Sequence, residues 1–143
     1  MSANVVTLVM PAKSEYLILA RLALAGIARE QPIEESVLAD LKLAVTEACG
    51  NAVRHAYGDD PGVVRVRFVV EREQIEIEVA DDGTTGRPRA QPAPPADNAL
   101  VESGMGFAII RAVVDELEID DATDASGTVV TMRKSLAPAS GEA

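Results

Sequence analysis

Hydrophobic and polar residues repeat with two different periods along this chain, and each change of period marks a new element. An apolar run at 5–10 predicts a strand that ends at Pro11. Residues 15–29 are apolar nearly all round, with Arg21 as the only charge between the two ends, and predict a first helix. A helix of this kind is either buried in the core or partly covered by another molecule. A second helix is predicted over about 33–57.

In the second helix, apolar and polar residues lie on neighbouring stripes. Glu47, Asn51 and His55 are spaced four apart, so they form one stripe along an edge of the apolar face. Two interpretations stay open: the three side chains are satisfied locally at the border of the core, or they line a ligand site. The predicted buried face follows the spacing i, i+4, i+7 and i+11 and consists of Leu41, Val45, Ala48 and Ala52.

Two alternating stretches predict a β-hairpin with one buried and one wet face. Residues 64–70 alternate apolar side chains with arginines, and residues 74–80 alternate apolar side chains with glutamates. The arginines and glutamates are expected to pair across the wet face, where exposed pairs contribute only about 0–1 kcal/mol each. A turn is predicted at 58–62, just before the hairpin.

Beyond the hairpin the periodicity disappears and then returns. Residues 87–99 are rich in proline and alanine without a period, and a structureless segment of this length is usually a functional lid or disordered. A third helix is predicted over 107–117, a short strand at 118–120 and a last strand over 127–135. Residues 137–143 are expected to fray as a flexible tail.

The resulting order of elements is β, α, α, β, β, loop, α, β, β. Long helices interspersed with hairpins predict an α/β fold. We expect a two-layer sandwich of a mostly antiparallel mixed sheet with three helices on one face. Residues 1–136 are interpreted as a single domain.

Composition narrows the classes of partner. The chain has 143 residues, a formal net charge of −10 and a single cysteine, Cys49. The excess of acid argues against nucleic acid and anionic membranes, since both attract lysine and arginine. We expect no signal peptide, and no apolar run is long enough to cross a bilayer. A lone cysteine excludes an internal disulfide, so we expect a reduced, cytoplasmic protein.

Four places in the chain could carry chemistry together. Glycines at a helix start leave backbone N–H groups bare for phosphate, and a carboxylate after a strand can accept hydrogen bonds from an exocyclic amine. An Asn can hold Mg²⁺ through its carbonyl oxygen, and a Glu can act as a general base. Alone, each motif also has an ordinary structural explanation. The four places are Glu47/Asn51, Asp81-Asp82-Gly83, Gly104-Met105-Gly106 and Gly127-Thr128.

In this order, the motifs resemble a known family. The resemblance rests on EACGNAVRHAY at 47–57, VADDG at 79–83, SGMGF at 103–107 and GTVVTM at 127–132. These are similar to the anti-sigma-factor serine kinases of bacteria, of the general-stress type. That family belongs to the ATPase superfamily of gyrase B, Hsp90, histidine kinases and MutL. The resemblance covers about 5–136 and implies a Bergerat-type ATP-binding fold.

The resemblance also implies roles for individual residues. Glu47 is expected to be the general base toward a target serine, and Asn51 the Mg²⁺ ligand that bridges to the phosphates of ATP. Asp81 resembles the carboxylate that binds the adenine amine. Gly83 would let the backbone approach the base, and Thr128 would support a water at the adenine. The other nucleotide-binding residues that the resemblance implies are Ser103, Gly104, Met105 and Gly106.

The chain departs from the family pattern at two positions. Thr85 stands where the wider superfamily has a second glycine, and Glu102 precedes the second glycine motif, where some relatives have a basic residue. Glu102 is expected to weaken contact with the γ-phosphate. Arg87 and Arg89, in the ATP lid at about 84–103, are candidate substitutes.

The family implies an anti-sigma factor that is also an ATP- and Mg²⁺-dependent protein serine/threonine kinase in a stress response. It would phosphorylate an anti-anti-sigma factor, sequester an RNA polymerase sigma factor and form a homodimer. Arg21 would contact these protein partners, unless it merely reaches solvent from a buried helix. Two alternatives remain: a non-catalytic ATP-binding anti-sigma module, and a switch kinase that acts on antagonist-like domains without binding sigma.

Overall fold

The computed structural model describes residues 4–54, 62–81, 107–121 and 128–136. Five strands and three helices account for most of them. The helices are α1 at Leu17–Glu30, α2 at Glu35–Arg54 and α3 at 107–113, and a 3₁₀ turn at Ser14–Tyr16 precedes α1. The strands are β1 at Asn4–Pro11, β2 at Val63–Val70, β3 at Gln74–Asp81, β4 at Glu116–Asp121 and β5 at Thr128–Ser135.

The five strands form one sheet in the order β1-β2-β3-β5-β4. All four pairings between the described strands are antiparallel. The mostly antiparallel sheet is therefore confirmed, and no parallel pair is seen within the described residues. This order places β3 and β5 at the centre, although α3 and β4 separate them along the chain.

Local chemistry explains where the first two helices begin and end. Gln31 precedes Pro32 and is extended, with φ −123° and ψ 121°. Because a residue before proline is pushed out of the helical region, α1 ends there and α2 starts anew at Glu35.

Gly62, with φ 84°, makes the turn into β2, and its carbonyl accepts the backbone N–H of Ala12 over 3.1 Å. That bond closes the end of β1 against the start of β2.

The core lies between one face of the sheet and the helices. α2 contacts β2, β3 and β5, and α1 packs on α2. The predicted apolar face of α2 is buried as expected, and Ile110 of α3 joins the same core. The alternation predicted for the hairpin is also confirmed, since Val64, Val66, Phe68, Ile75, Ile77 and Val79 all face inward.

The predicted third helix is too long. It ends at 113, and Leu117 lies in β4 rather than on a helix face. The strand predicted at 118–120 is longer, spanning Glu116–Asp121, because its whole length pairs with β5. Pairing with β5 outweighs the helical spacing of residues 114–117, which is a tertiary effect that periodicity alone does not show.

Ion pairs cover the outer face of the sheet, away from the helices. Arg67 and Glu78 are cross-strand partners, with 3.8 Å between charged atoms, as predicted for the hairpin. Arg133 of β5 contacts both Glu76, at 2.9 Å, and Glu116, at 2.9 Å. These carboxylates raise the pKa of Arg133 above its already high value. The pairs join four neighbouring strands, β2, β3, β5 and β4, on the side of the sheet that faces away from the described helices.

No helix within the described residues is long and apolar enough to cross a membrane. The predicted tail at 137–143 and the predicted lid at 84–103 lie outside the described residues. The interpretation of 1–136 as a single domain stays a prediction.

Replacing Phe68 by Ala should destabilise the fold strongly. Phe68 is among the largest fully buried side chains and is 0% exposed, so its removal leaves a cavity in a core with few aromatic residues. We expect a loss of about 3–5 kcal/mol in the free energy of unfolding, measured by urea denaturation. Val69→Ala, one position along on the outer face, is the matched control and should cost less than about 1.5 kcal/mol. Equal losses would contradict the assigned core.

Candidate active site

Asn51 lies at the border between α2 and the sheet, where its side chain is almost wholly enclosed. The residue is 3% exposed. Its Oδ1 accepts a hydrogen bond of 2.9 Å from a terminal guanidinium nitrogen of Arg54. Its Nδ2 finds no hydrogen-bond partner among the described residues. Since a bare buried donor costs about 1–3 kcal/mol, this atom is expected to bond a ligand or a water.

The carboxyl end of β3 and the amino end of β5 meet beside Asn51. The register pairs Ala80 with Val129, which brings Asp81 next to Thr128. The backbone N–H of Thr128 donates to Oδ1 of Asp81 over 3.4 Å. Both residues are half-buried. The contact between the two strand ends therefore helps to orient the Asp81 carboxylate.

Asn51, Asp81 and Thr128 line one cavity between α2, the sheet and α3. The cavity is small, about 10 Å³, which is room for roughly one water molecule, so these residues mark one wall of a site and do not themselves enclose a nucleotide. The alanines on α2 keep the cavity open, because larger side chains there would fill it. The rest of the described lining is apolar and comprises Ala48, Ala52, Val79, Phe107 and Val130.

Glu47 lies one turn before Asn51 on the same helix and is half-buried. It makes no salt bridge and no hydrogen bond from its side chain with another described residue. The residue does not line the cavity that Asn51 shares with Asp81. Its carboxylate is thus available as an acceptor, one helical turn from the buried amide.

Cys49 is close to these residues in sequence but belongs to the core. It is 0% exposed, and burial raises the pKa of its thiol to about 12. A thiol with so high a pKa is protonated at neutral pH and is a poor nucleophile. Cys49 therefore acts as a small apolar side chain of α2 and takes no part in the chemistry.

Three of the sequence-predicted site residues come together in the structure: Asn51, Asp81 and Thr128. Glu47 lies one turn away, and Arg21 is exposed on α1, which does not line the cavity. The other predictions fall outside the described residues, so their placement stays a prediction. They are His55, Gly83, Ser103, Gly104, Met105 and Gly106, together with the lid.

Two residues of the site were missed at the level of sequence. Phe107 lies in the SGMGF motif and at the start of the predicted third helix but was given no individual role, and it lines the cavity. Arg54 was included only as part of the EACGNAVRHAY motif, although it bonds the amide of Asn51. The spacing of three between Asn51 and Arg54 was a usable signal, because side chains three apart are neighbours on a helix.

The residues present fit a magnesium ion that is held mainly by a nucleotide. Mg²⁺ prefers oxygen ligands, keeps several waters and is usually bound by one or two protein oxygens plus phosphates. Asn51 offers one carbonyl oxygen on an almost wholly buried side chain. Within the described part of the chain, no cluster of three His, Cys, Asp or Glu side chains could hold a metal by itself. Phosphates and waters would have to supply the other ligands.

Comparison with known proteins gives a family. Residues 10–134 match the model of the histidine kinase-like ATPase domain. The chain is 38% identical to the serine-protein kinase RsbW of Bacillus licheniformis, over 94% of this chain and 88% of that protein. It is 34% identical to the serine-protein kinase RsbW of Bacillus subtilis strain 168, with the same coverage of 94% and 88%.

A solved structure supports the fold. The crystal structure of the RsbU and RsbW domains of a Mycobacterium tuberculosis protein superposes with a TM-score of 0.69. The match covers 92% of this chain but only 31% of that longer chain, at 22% identity. This likeness carries the fold alone. With a family model over most of the chain and relatives above 30% identity, the chain belongs to the histidine kinase-like ATPases and, within them, to the RsbW serine-protein kinases.

Proposed function

We propose that this kinase transfers the γ-phosphoryl group of ATP to a serine of an anti-anti-sigma factor. We further propose that it sequesters an RNA polymerase sigma factor when that antagonist is unavailable. The observation that carries the proposal is the joint cavity of Asn51, Asp81 and Thr128, with an unpaired Glu47 one turn away. ATP use follows from the family, and a cytoplasmic location is proposed because the proposed partners include a subunit of RNA polymerase.

Asp81 is proposed to bind the adenine. Its carboxylate can accept a hydrogen bond from the exocyclic amine of adenine, whereas guanine presents a carbonyl oxygen at that position and would be repelled. The N–H of Thr128 donates to one carboxylate oxygen at 3.4 Å, which orients the group. The hydroxyl of Thr128 is proposed to hold a water beside the base. Gly83 would give the backbone close access to the ring.

Asn51 is proposed to face the phosphates. Its carbonyl oxygen would be the Mg²⁺ ligand, and the bound ion would neutralise charge on the phosphates. The second glycine motif would present bare backbone N–H groups to the same phosphates, under the ATP lid. The residues proposed for that contact are Ser103, Gly104, Met105 and Gly106.

Glu47 is proposed to be the general base. The target serine oxygen would attack the γ-phosphorus while its proton passes to the Glu47 carboxylate, and ADP would leave. In such transfers the protein acts mostly by positioning and by electrostatic stabilisation. No described residue holds the Glu47 carboxylate in a salt bridge, so it is available to accept the proton.

The proposed partner surface is the exposed side of α1. Arg21 is exposed there, and among the described residues it makes no salt bridge. Ile18 and Leu22 beside it are 53% and 57% exposed. An arginine ringed by exposed apolar side chains is the composition of a binding centre rather than of a solvated helix face. We assign the sigma factor and the antagonist to this surface.

Homodimerisation is proposed at the edge strand β1. Val5 and Val9 are 52% and 60% exposed on the outer side of this strand. An open edge with exposed β-branched residues is a template for pairing unless something covers it. A second copy of the chain would cover both the backbone edge and the valines.

A non-catalytic anti-sigma module is the second candidate. The observation that favours it is the position of Glu47 outside the described cavity lining. A switch kinase that acts on antagonist-like domains would share the site but not bind sigma. The three experiments below separate these functions.

Glu47→Gln should abolish kinase activity and leave nucleotide binding intact. Loss of a general base lowers the rate by about 10²–10⁴-fold. Transfer of radiolabel from ATP to the purified antagonist measures it, with Glu35→Gln at the exposed start of α2 as control. Full activity in the Glu47→Gln variant would rule out this role, and absence of label with the unaltered kinase would favour the non-catalytic module.

Asp81→Asn should weaken ATP binding and reduce the preference for ATP over GTP. A hydrogen bond to a charged group contributes about 1.5–3 kcal/mol, so we expect affinity to fall about ten- to hundredfold. Calorimetric titration with both nucleotides measures the change. Asp120→Asn on the exposed part of β4 is the control and should bind as the unaltered chain does. An unchanged ATP/GTP ratio would contradict the adenine assignment.

Arg21→Ala should reduce binding of sigma factor and antagonist without changing ATP affinity. The loss of a central interface arginine costs about 2 kcal/mol or more, close to thirtyfold in Kd. Pull-down and titration with each partner measure it, and Arg29→Ala in the last turn of α1 is the control. Normal binding by both variants would place the interface elsewhere, and binding of the antagonist alone by the unaltered chain would favour the switch kinase.

A further inference from the structure

Arg54 bonds the same oxygen that the proposed function assigns to the metal. The hydrogen bond from its guanidinium to Asn51 Oδ1 is 2.9 Å long. Asn51 is buried, whereas Arg54 is exposed at the end of α2 as the structure describes it. The arginine therefore reaches back from the surface to a buried amide.

This contact decides which way the amide points. With Oδ1 turned to Arg54, the buried Nδ2 is the atom left without a partner among the described residues. Nδ2 is a donor and cannot ligate a cation. A carbonyl oxygen has a second lone pair, but a guanidinium 2.9 Å away puts a positive charge beside any dication that would use it.

The chain leaves room for Arg54 to fold back in this way. Gly50 lies one turn before it, and a Cβ added to Gly50 would lie 3.9 Å from a terminal nitrogen of the guanidinium. That is ordinary contact, so the guanidinium lies directly over this glycine. Arg54 is exposed, so its side chain can swing out without disturbing the core.

We propose that Arg54 is a positioning residue that competes with Mg²⁺ for Asn51 Oδ1, and that it must leave this oxygen when the metal–nucleotide complex binds. The inference rests on the proposed role of Asn51 as the Mg²⁺ ligand. Arg54 holds the amide in its metal-free orientation and thereby lowers the affinity that the site gains from Mg²⁺. Asn51 Oδ1 can bind the metal only in those molecules in which its hydrogen bond with Arg54 is broken.

The test compares nucleotide affinity with and without the metal. The Kd of a fluorescent ATP analogue is measured in EDTA and in saturating MgCl₂. The ratio of the Kd in EDTA to the Kd in MgCl₂ gives the gain in affinity from Mg²⁺. For Arg54→Met we expect this ratio to rise about three- to tenfold, since an open fraction of about 0.1–0.3 reduces affinity by that factor. The Kd in EDTA should stay unchanged.

Arg65→Met is the matched control. Arg65 is also exposed, but it lies on β2 between two inward-facing valines, so it points to the outer side of the sheet. Its removal takes away the same charge and should leave the ratio unchanged. Repeating the titrations at high salt separates a direct bond from long-range repulsion, because exposed charges are screened there. The effect of Arg54→Met should persist.

Each other outcome overturns the inference. A ratio equal to that of the unaltered chain shows that the hydrogen bond does not compete with metal. Weaker binding in both EDTA and MgCl₂ shows that Arg54 contacts the nucleotide instead. If the effect of Arg54→Met vanishes at high salt, or if Arg65→Met reproduces it, long-range charge repulsion explains the effect and the hydrogen bond does not. If Mg²⁺ does not raise the nucleotide affinity of the unaltered chain, the proposed role of Asn51 as Mg²⁺ ligand is wrong. This result differs from a failure of the Arg54 inference alone, in which the unaltered chain does gain affinity from Mg²⁺.

Discussion

The close packing of α2 on the middle of the sheet is the constraint on which the rest of the molecule depends. Small residues on the inner face of the helix, above all Ala48 and Ala52, are buried against β3 and β5. Because these side chains are short, a cavity remains between helix and sheet, and Asn51 is enclosed at its border. A larger residue at either alanine would fill the space that the site needs. The same contact thus stabilises the fold and forms the cavity that we propose as part of the nucleotide site.

Positively charged side chains have different roles on the outer face of the sheet and around the cavity. On the outer face of the sheet, Arg133 and Arg67 are engaged by glutamates of neighbouring strands, so positive charge there serves the fold. Among the described residues, the side chains around the cavity offer little fixed positive charge besides Arg54, in a chain of net charge −10. Under the proposed function, Mg²⁺ would offset part of the charge of a polyanionic nucleotide here, and an arginine that competes with the metal would weaken that contribution.

Much of the fold was predictable because its signals are local. The alternation at 64–70 and 74–80, the apolar face of α2 and the break at Pro32 each follow from neighbouring residues, and the structure confirms them. The end of α3 was not predictable in this way. Residues 114–117 carry helical spacing, yet the chain leaves the helix because Glu116–Asp121 pairs with β5 along its whole length. That pairing depends on the position of β5, which lies farther along the chain.

The order of residues already predicts the family, the α/β class and the types of residue proposed for the site, since motif spacing and periodicity are properties of the chain. It also supplied Asn51, Asp81 and Thr128 as candidates. The folded chain shows what residue order does not: these three residues share a cavity, and Glu47 lies beside rather than within its described lining. Burial and strand neighbours depend on contacts between distant segments, whereas the bond from Arg54 to the buried amide joins residues three apart on one helix.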